Sequence, residues 1–329
     1  MSQFDVYGIG NALVDTEYEV TEAFLEEAGL EKGVMTLIDA DRRHELIHLL
    51  EEKHNHQAVE QCGGGSAANT MVAVAHFDAK SFYSCKVASD ATGDFFMADL
   101  KAAGVTTNLD SGREDGDSGQ CISMVTSDAE RSMTTHLGIS ENLSTAELNE
   151  AALKDSKYLY IEGYLVTSPT AMAAARRAQD VARQAGVKVS LTLSDPAIVE
   201  HFKAGFDEFA EHGIDLVFCN EEEAMIWTAS KTPTEAFGKL KTVSQMAVMT
   251  MGKAGSLTWD GKVEAQIAGT PIKAVDTTGA GDIFAGTFLA AISQGQSFEE
   301  AATLSNRVAA KLVSQFGARL TREETQALK

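Results

Sequence analysis

Apolar residues along this chain fall into two alternating patterns: short runs of strand length, and longer stretches with an apolar position every three or four residues. Phe4 to Ile9 reads as a first buried strand. From Leu153 onward, Lys157 to Ile161, Lys188 to Leu193, Asp215 to Cys219 and Gln245 to Met251 are further short runs, with Thr170 to Gln184 a helix between the first two. This βαβα rhythm predicts an α/β fold, a doubly wound, mostly parallel sheet flanked by helices, with ligands beyond the carboxyl ends of the strands. Toward the C-terminus Phe284, Phe288 and Ile292 recur four apart. Ser297-Phe298-Glu299-Glu300 is a capping box that opens a helix with Ala301, Leu304, Val308 and Leu312 on one face and Gly317 beyond its end.

The stretch from Val105 to Ile139 breaks this rhythm. A polar loop, Asp110 to Gly119, precedes two strand-like runs, Gln120 to Thr126 and Arg131 to Thr135, joined at Ser127-Asp128-Ala129-Glu130. The expected result is a β-hairpin that joins Glu17 to Val20 and Val34 to Ile38 in a small sheet. Residues 1–329 are thus expected to form one α/β domain, with segments 13–40 and 105–139 building a small β-sheet inserted in it.

Composition narrows the function classes. The formal net charge is −21, from 27 Lys and Arg against 48 Asp and Glu, so a nucleic-acid backbone or an anionic membrane would be repelled. Cys62, Cys85, Cys121 and Cys219 form no C-x-x-C pair, which argues against a zinc ribbon or a dithiol centre and suits buried thiols in a reducing compartment. The N-terminal residues carry no basic and apolar leader pattern, and no apolar run reaches about 18 residues. A cytoplasmic location is the expectation.

The densest chemistry lies in Asp276-Thr277-Thr278-Gly279-Ala280-Gly281-Asp282. Two glycines around one alanine leave amides uncovered at the start of a helix, and such a start attracts anions. Asp282 adds a carboxylate able to take the proton of an attacking hydroxyl, a pairing suited to phosphoryl transfer to an alcohol. The bland alternative is a turn with a helix-capping aspartate. Gly8-Ile9-Gly10 ends the first strand, but Leu13 stands where a dinucleotide fingerprint needs its third glycine. Asp15, past that strand, can accept hydrogen bonds from two vicinal hydroxyls, or simply shape a turn. Gly63-Gly64-Gly65 permits close backbone approach to a ligand and hinge motion. His44-Glu45-Leu46-Ile47-His48 matches the zinc-protease pattern H-E-x-x-H, yet Glu51 stands where the extended pattern needs glycine. With Leu46, Ile47, Leu49 and Leu50 inside and charges outside, a solvated amphipathic helix is the better account. No Walker A sequence is present.

Asp276 to Asp282 resembles the C-terminal signature of the PfkB, or ribokinase-like, family of sugar and nucleoside kinases. In that resemblance Gly279, Ala280 and Gly281 form the anion hole and Asp282 is the catalytic base. Gly10-Asn11-Ala12-Leu13-Val14-Asp15 resembles the G-N-x-L-x-D opening of adenosine kinases, which implies substrate contacts at Asn11 and Asp15. The G-G-x-x-x-N element maps onto Gly64, Gly65 and Asn69. Asn220 and Glu223 match N-x-x-E, implying Mg²⁺ handling by Glu223 through water, and Thr250, Gly252 and Gly255 match a T-x-G-x-x-G nucleotide loop. Asn306 is implied near the adenine of ATP, and Asp276 and Thr278 as candidates for K⁺. The small sheet is implied to act as a lid that excludes water. Glu162-Gly163-Tyr164-Leu165 resembles an aromatic strand end that contacts a base, which puts Tyr164 or Leu165 beside it. The expectation is therefore ATP-dependent phosphorylation of a primary hydroxyl, adenosine to AMP, with a ribokinase or fructokinase type of sugar kinase and an inosine or guanosine kinase as alternatives. A nucleoside sensor without turnover is a further alternative, which the intact Asp282 disfavours. Monomer and homodimer both stay open.

Overall fold

The computed structural model describes residues 2–109, 112–128 and 130–329. Asp110 and Ser111 of the polar loop and Ala129 of the hairpin turn lie outside the described residues. Among the described residues the strands, in chain order, are β1 (Phe4–Ile9), β2 (Leu13–Glu19), β3 (Met35–Leu37), β4 (Ala58–Gly64), β5 (Ser81–Ser84), β6 (Thr106–Thr107), β7 (Gly119–Val125), β8 (Arg131–His136), β9 (Ser156–Ile161), β10 (Lys188–Thr192), β11 (Ile214–Asn220), β12 (Ser244–Thr250), β13 (Ser256–Trp259) and β14 (Glu264–Ile267).

Continuous burial along β1, β9, β10, β11 and β12 is what a sheet covered on both faces demands. These strands lie in a nine-stranded sheet of order β14-β13-β12-β11-β10-β9-β1-β5-β6, all running the same way except β13, which pairs antiparallel with both its neighbours. On one face pack the helices Ser66–His76, Ala280–Ser293 and Phe298–Leu312, around Met71, Phe284 and Phe288. Pro169–Ala185 and Pro233–Val243 cover the other, around Ala174, Ala178, Phe206 and Phe237. The order runs outward in both directions from the β1/β9 pair. That switch point is where a parallel sheet opens a crevice at its carboxyl ends.

The second sheet has the order β3-β8-β7-β2-β4. It differs from the expected segments 13–40 and 105–139 in two ways. β4 belongs to it, paired antiparallel with β2, whereas β6 is an edge strand of the large sheet. The first four residues of β4 are all exposed and the last two are glycines, so the strand carries no buried alternation of its own, and β2 supplies it with a partner. Period-two alternation gives this sheet two faces. Val14, Thr16 and Tyr18 of β2 are buried, while Leu13, Asp15 and Glu17 look toward the large domain.

Behind the sheet packs the helix Ala40–Ile47, continued by a wider turn over His48–Lys53, with Leu46 and Leu50 against Tyr18, Ile122 and Met124. The H-E-x-x-H histidines sit on this outer helix. His44 Nε2 lies 3.1 Å from the Arg43 guanidinium, and His48 Nδ1 pairs with Glu52 at 2.9 Å. Among the described residues no three His, Cys, Asp or Glu side chains gather for a metal, and no helix is long and apolar enough to cross a membrane.

Candidate active site

A single cavity of about 1460 Å³ runs between the two sheets along the carboxyl ends of β1, β9, β11 and β12. Ligand sites commonly enclose about 300–1,000 Å³, so this one has room for two small molecules end to end.

At its centre is the start of the helix Ala280–Ser293. Gly279 caps it at φ 72°, and a side chain there would press within 2.5 Å of the Ala318 carbonyl oxygen. The Ala280 N–H is spent on the Thr277 carbonyl at 3.2 Å, which removes it from the expected anion hole. The Gly281 amide, next along, takes no partner among the described residues. Asp282 stands one residue further, half-buried. Its Oδ1 accepts from Ser66 Oγ at 2.6 Å and its Oδ2 from Asn69 Nδ2 at 3.2 Å. Burial raises its pKa, and those two donors and the Arg319 charge hold it down. The carboxylate thus has fixed orientation and enhanced proton affinity, as a general base needs.

Asp15 lies on the small sheet's inner face, flanked across the strands by Cys62 and Cys121. Burial pushes it up to about 6, against the pull of Arg319. Gly64 is not on the cavity wall; a side chain there would collide with the Asp15 carboxylate, so Gly64 makes room for Asp15 in place of the expected ligand contact. Gly65, Asn69, Asn11 and Tyr164 do line the cavity. Leu165 does not. The single 3₁₀ turn Gly163–Thr167 carries it into the core at 1% exposure, so the expected base contact at Leu165 is withdrawn.

The residues expected to meet the nucleotide, Asn220, Glu223, Thr250, Gly252, Gly255 and Asn306, are all on the wall. Asn220 and Glu223 cap the helix Glu221–Trp227 reciprocally: Asn220 N and Nδ2 donate to the Glu223 carboxylate at 2.9 and 2.8 Å, and Glu223 N donates to Asn220 Oδ1 at 2.8 Å. Burial raises Glu223 to about 7. A cation nearby would return it to its charged form, so this carboxylate fits a hydrated Mg²⁺. Asn306 Nδ2 donates to Ser256 Oγ at 3.2 Å and to the Ala268 carbonyl at 3.3 Å, which docks its helix against β13.

Asp276 is off the wall, whereas Thr278 lines it. Asp276 Oδ1 accepts from Thr278 N and Oγ1 at 2.9 and 2.7 Å, and Oδ2 from Gly317 N at 3.0 Å, with the Arg131 guanidinium 3.5 Å away. Those donors and the Arg131 charge satisfy the Asp276 carboxylate of the pair suggested for K⁺.

Four wall residues were not singled out from the sequence as site residues: Ser66, Arg131, Glu162 and Arg319. Glu162 follows β9 at the switch point. It accepts from Asn11 Nδ2 and Ala67 N, both at 2.9 Å, and burial pushes it up to about 7. A carboxylate directly after a buried strand was the available signal. Ser66 lay inside the glycine motif already noted, whereas Arg319 carried no local pattern at all.

Known proteins share this arrangement. The family model described as pfkB family carbohydrate kinase matches residues 33–325. The adenosine kinase structure from Sinorhizobium meliloti is 35% identical, with a TM-score of 0.87 over 99% of each chain. A probable sugar kinase from Rhizobium etli CFN 42 is 33% identical, with a TM-score of 0.88 over 99% of this chain and 98% of the other. The ribokinase of Mus musculus is 33% identical over 77% of this chain and 79% of its own length. The chain belongs to the pfkB family of carbohydrate kinases, as a phosphotransferase acting on an alcohol group.

Proposed function

We propose that this enzyme transfers the γ-phosphoryl group of ATP to the 5′-hydroxyl of a purine nucleoside, adenosine first among them. The observation that carries the acceptor class is the apolar far end of the cavity. Beyond Asp15, the wall is made by Met35, Leu37 and Met133 of the small sheet and by Ile198 and Phe202 of the large domain. Leu37 is 64% exposed and Phe202 37%, large apolar surface that a flat base would cover and a free sugar would leave wet. The adenosine kinase from Sinorhizobium meliloti, 35% identical, supports the same reading.

In this mechanism Asp15 accepts hydrogen bonds from the ribose hydroxyls and turns the 5′-hydroxyl toward Asp282. Asp282, held by Ser66 and Asn69, takes that proton as the oxygen attacks phosphorus. The Gly281 amide and the helix start stabilise the charge on the transferring group. Glu223 would hold the hydration shell of a Mg²⁺ ion, which would supply positive charge to neutralise the developing phosphoryl charge. The small sheet shields the reacting atoms from water.

A second reading, a free-sugar kinase, is favoured by the Gly64-Gly65-Ser66-Ala67-Ala68-Asn69 run and by the ribokinase of Mus musculus, 33% identical. The deciding experiment is phosphorylation of adenosine, inosine, guanosine, ribose and fructose with ATP and Mg²⁺, with and without K⁺. A kcat/KM for adenosine above that for the free sugars by orders of magnitude supports the proposal; a free sugar in front removes the base-binding role of the apolar wall.

A further inference from the structure

One buried cation ties together parts of the chain far apart in sequence. Arg319 follows the helix Phe298–Leu312, with its side chain 15% exposed. Its Nε donates to Asn69 Oδ1 at 2.7 Å, and its Nη1 donates to Asp99 Oδ2 at 2.6 Å, on the helix Ala91–Ala103. Asn69 passes the contact on, its Nδ2 reaching Asp282 Oδ2 at 3.2 Å. A guanidinium is planar and its N–H directions are fixed, so two bonds of different direction set its orientation. An amide whose oxygen is held by a cation has its N–H₂ left for an acceptor. Asn69 is therefore committed to present donors to Asp282.

We infer that Arg319 is a positioning residue for phosphoryl transfer, acting through Asn69 to hold the carboxylate of Asp282 in the orientation that meets the acceptor hydroxyl. The inference rests on reading Asp282 as the base. The charge distribution supports it independently of the bonds. Facing Asp282 from the surrounding elements are groups that are neutral or negative: Asp15 on β2, Tyr83 on β5, Tyr160 and Glu162 on β9, Tyr164 beyond it, and Glu223 at the nucleotide end. Among the described residues Arg319 is the cation whose charge lowers the pKa of Asp282, and with Arg131, which lines the same cavity, it opposes the effect of burial at Asp15. A mere staple between Asp99 and the C-terminal segment would need neither the bond to Asn69 nor this closeness to two carboxylates.

The test uses the full chain, with ¹³C-carboxyl-labelled aspartate and the Asp282 resonance assigned by its loss in Asp282→Asn. Arg319→Gln is expected to raise the Asp282 titration midpoint by about one pH unit or more, the size of effect a neighbouring guanidinium has on an aspartate. Arg319→Lys keeps the charge and loses the fork, and is expected to move the midpoint far less while still lowering kcat with ATP, Mg²⁺ and adenosine. KM for ATP should hardly change in either. Asn69→Leu should lower kcat, with Arg319→Lys adding little on top, because the two residues act in series. An unmoved midpoint in Arg319→Gln overturns the inference. So do independent, additive kcat losses for Asn69→Leu and Arg319→Lys, which decide the matter if Arg319→Gln does not fold. A wild-type enzyme that phosphorylates none of the acceptors sinks the proposed function alone, since the titration is read without substrate.

Discussion

At the scale of single residues, the site works by keeping carboxylates in places where burial makes them expensive to ionise. Asp282→Asn keeps the shape but turns one of the two accepting oxygens into a donor and cannot take a proton. It should lower kcat by about 10²-fold or more, the usual worth of a general base, with little change in KM for ATP; steady-state kinetics checks this. Asp15 holds its proton up to about 6, above the ordinary value near 3.9. Below its folded-state value it is neutral and a poorer partner for ribose hydroxyls, so kcat/KM for adenosine should fall as pH drops through about 6. The sign for stability is the reverse. A carboxyl with a raised folded value binds more protons folded than unfolded, so its contribution declines as pH rises across the window from about 4 to 6 and is flat above it. Thermal melts of wild type and Asp15→Asn across that window should differ in slope in this direction.

At the scale of elements, two capped helices separate stability from function. Ser297 and Asn220 each accept from a backbone N–H at the third helical position, in capping boxes of the same design. Either one changed to Ala should cost about 1 kcal/mol by denaturant melting. Only Asn220→Ala, on the cavity wall, should also raise KM for ATP. The β4 strand offers a sharper case. A side chain at Gly63 would collide with Asp99 and approach Arg319 Nη1 to 3.3 Å, so Gly63→Ala should depress turnover more than its small volume suggests, and Asp99→Ala should relieve part of that clash. Strands with continuous apolar runs, such as β1 and β12, were legible in the sequence almost to the residue. A short strand ahead of the triple glycine was legible as well, but not its place in the small sheet, because the register with β2 that puts it there is a long-range pairing. The glycine-capped helix start with Asp282 in its first turn was legible from local pattern. Arg319 was not, since its partners Asn69 and Asp99 lie 250 and 220 residues away. Leu165 misled because a resemblance between short strand-end motifs does not show which way a single 3₁₀ turn rolls its side chains.

At the scale of the whole molecule, the architecture separates phosphoryl chemistry from acceptor recognition. The large domain carries Asp282, Glu223 and the cavity-lining Thr250, Gly252 and Gly255, while the small sheet carries Asp15 and half of the apolar wall. Leu37→Ser and Phe202→Ser, on opposite sides of the cavity, should each raise KM for adenosine several-fold and leave kcat for a saturating acceptor near wild type, as expected for contacts equal in ground and transition states. Only three residues, Gly10, Asn11 and Ala12, join β1 of one sheet to β2 of the other, and Gly65 alone joins β4 to the helix Ser66–His76. These joints are also where the cavity is lined. Met35, Leu37 and Met133 lie on β3 and β8, outside these two joints. Such a layout lets lineages retune their diet by drifting at such positions while inheriting the reaction unchanged, and it makes the joints the places where an insertion would be lethal.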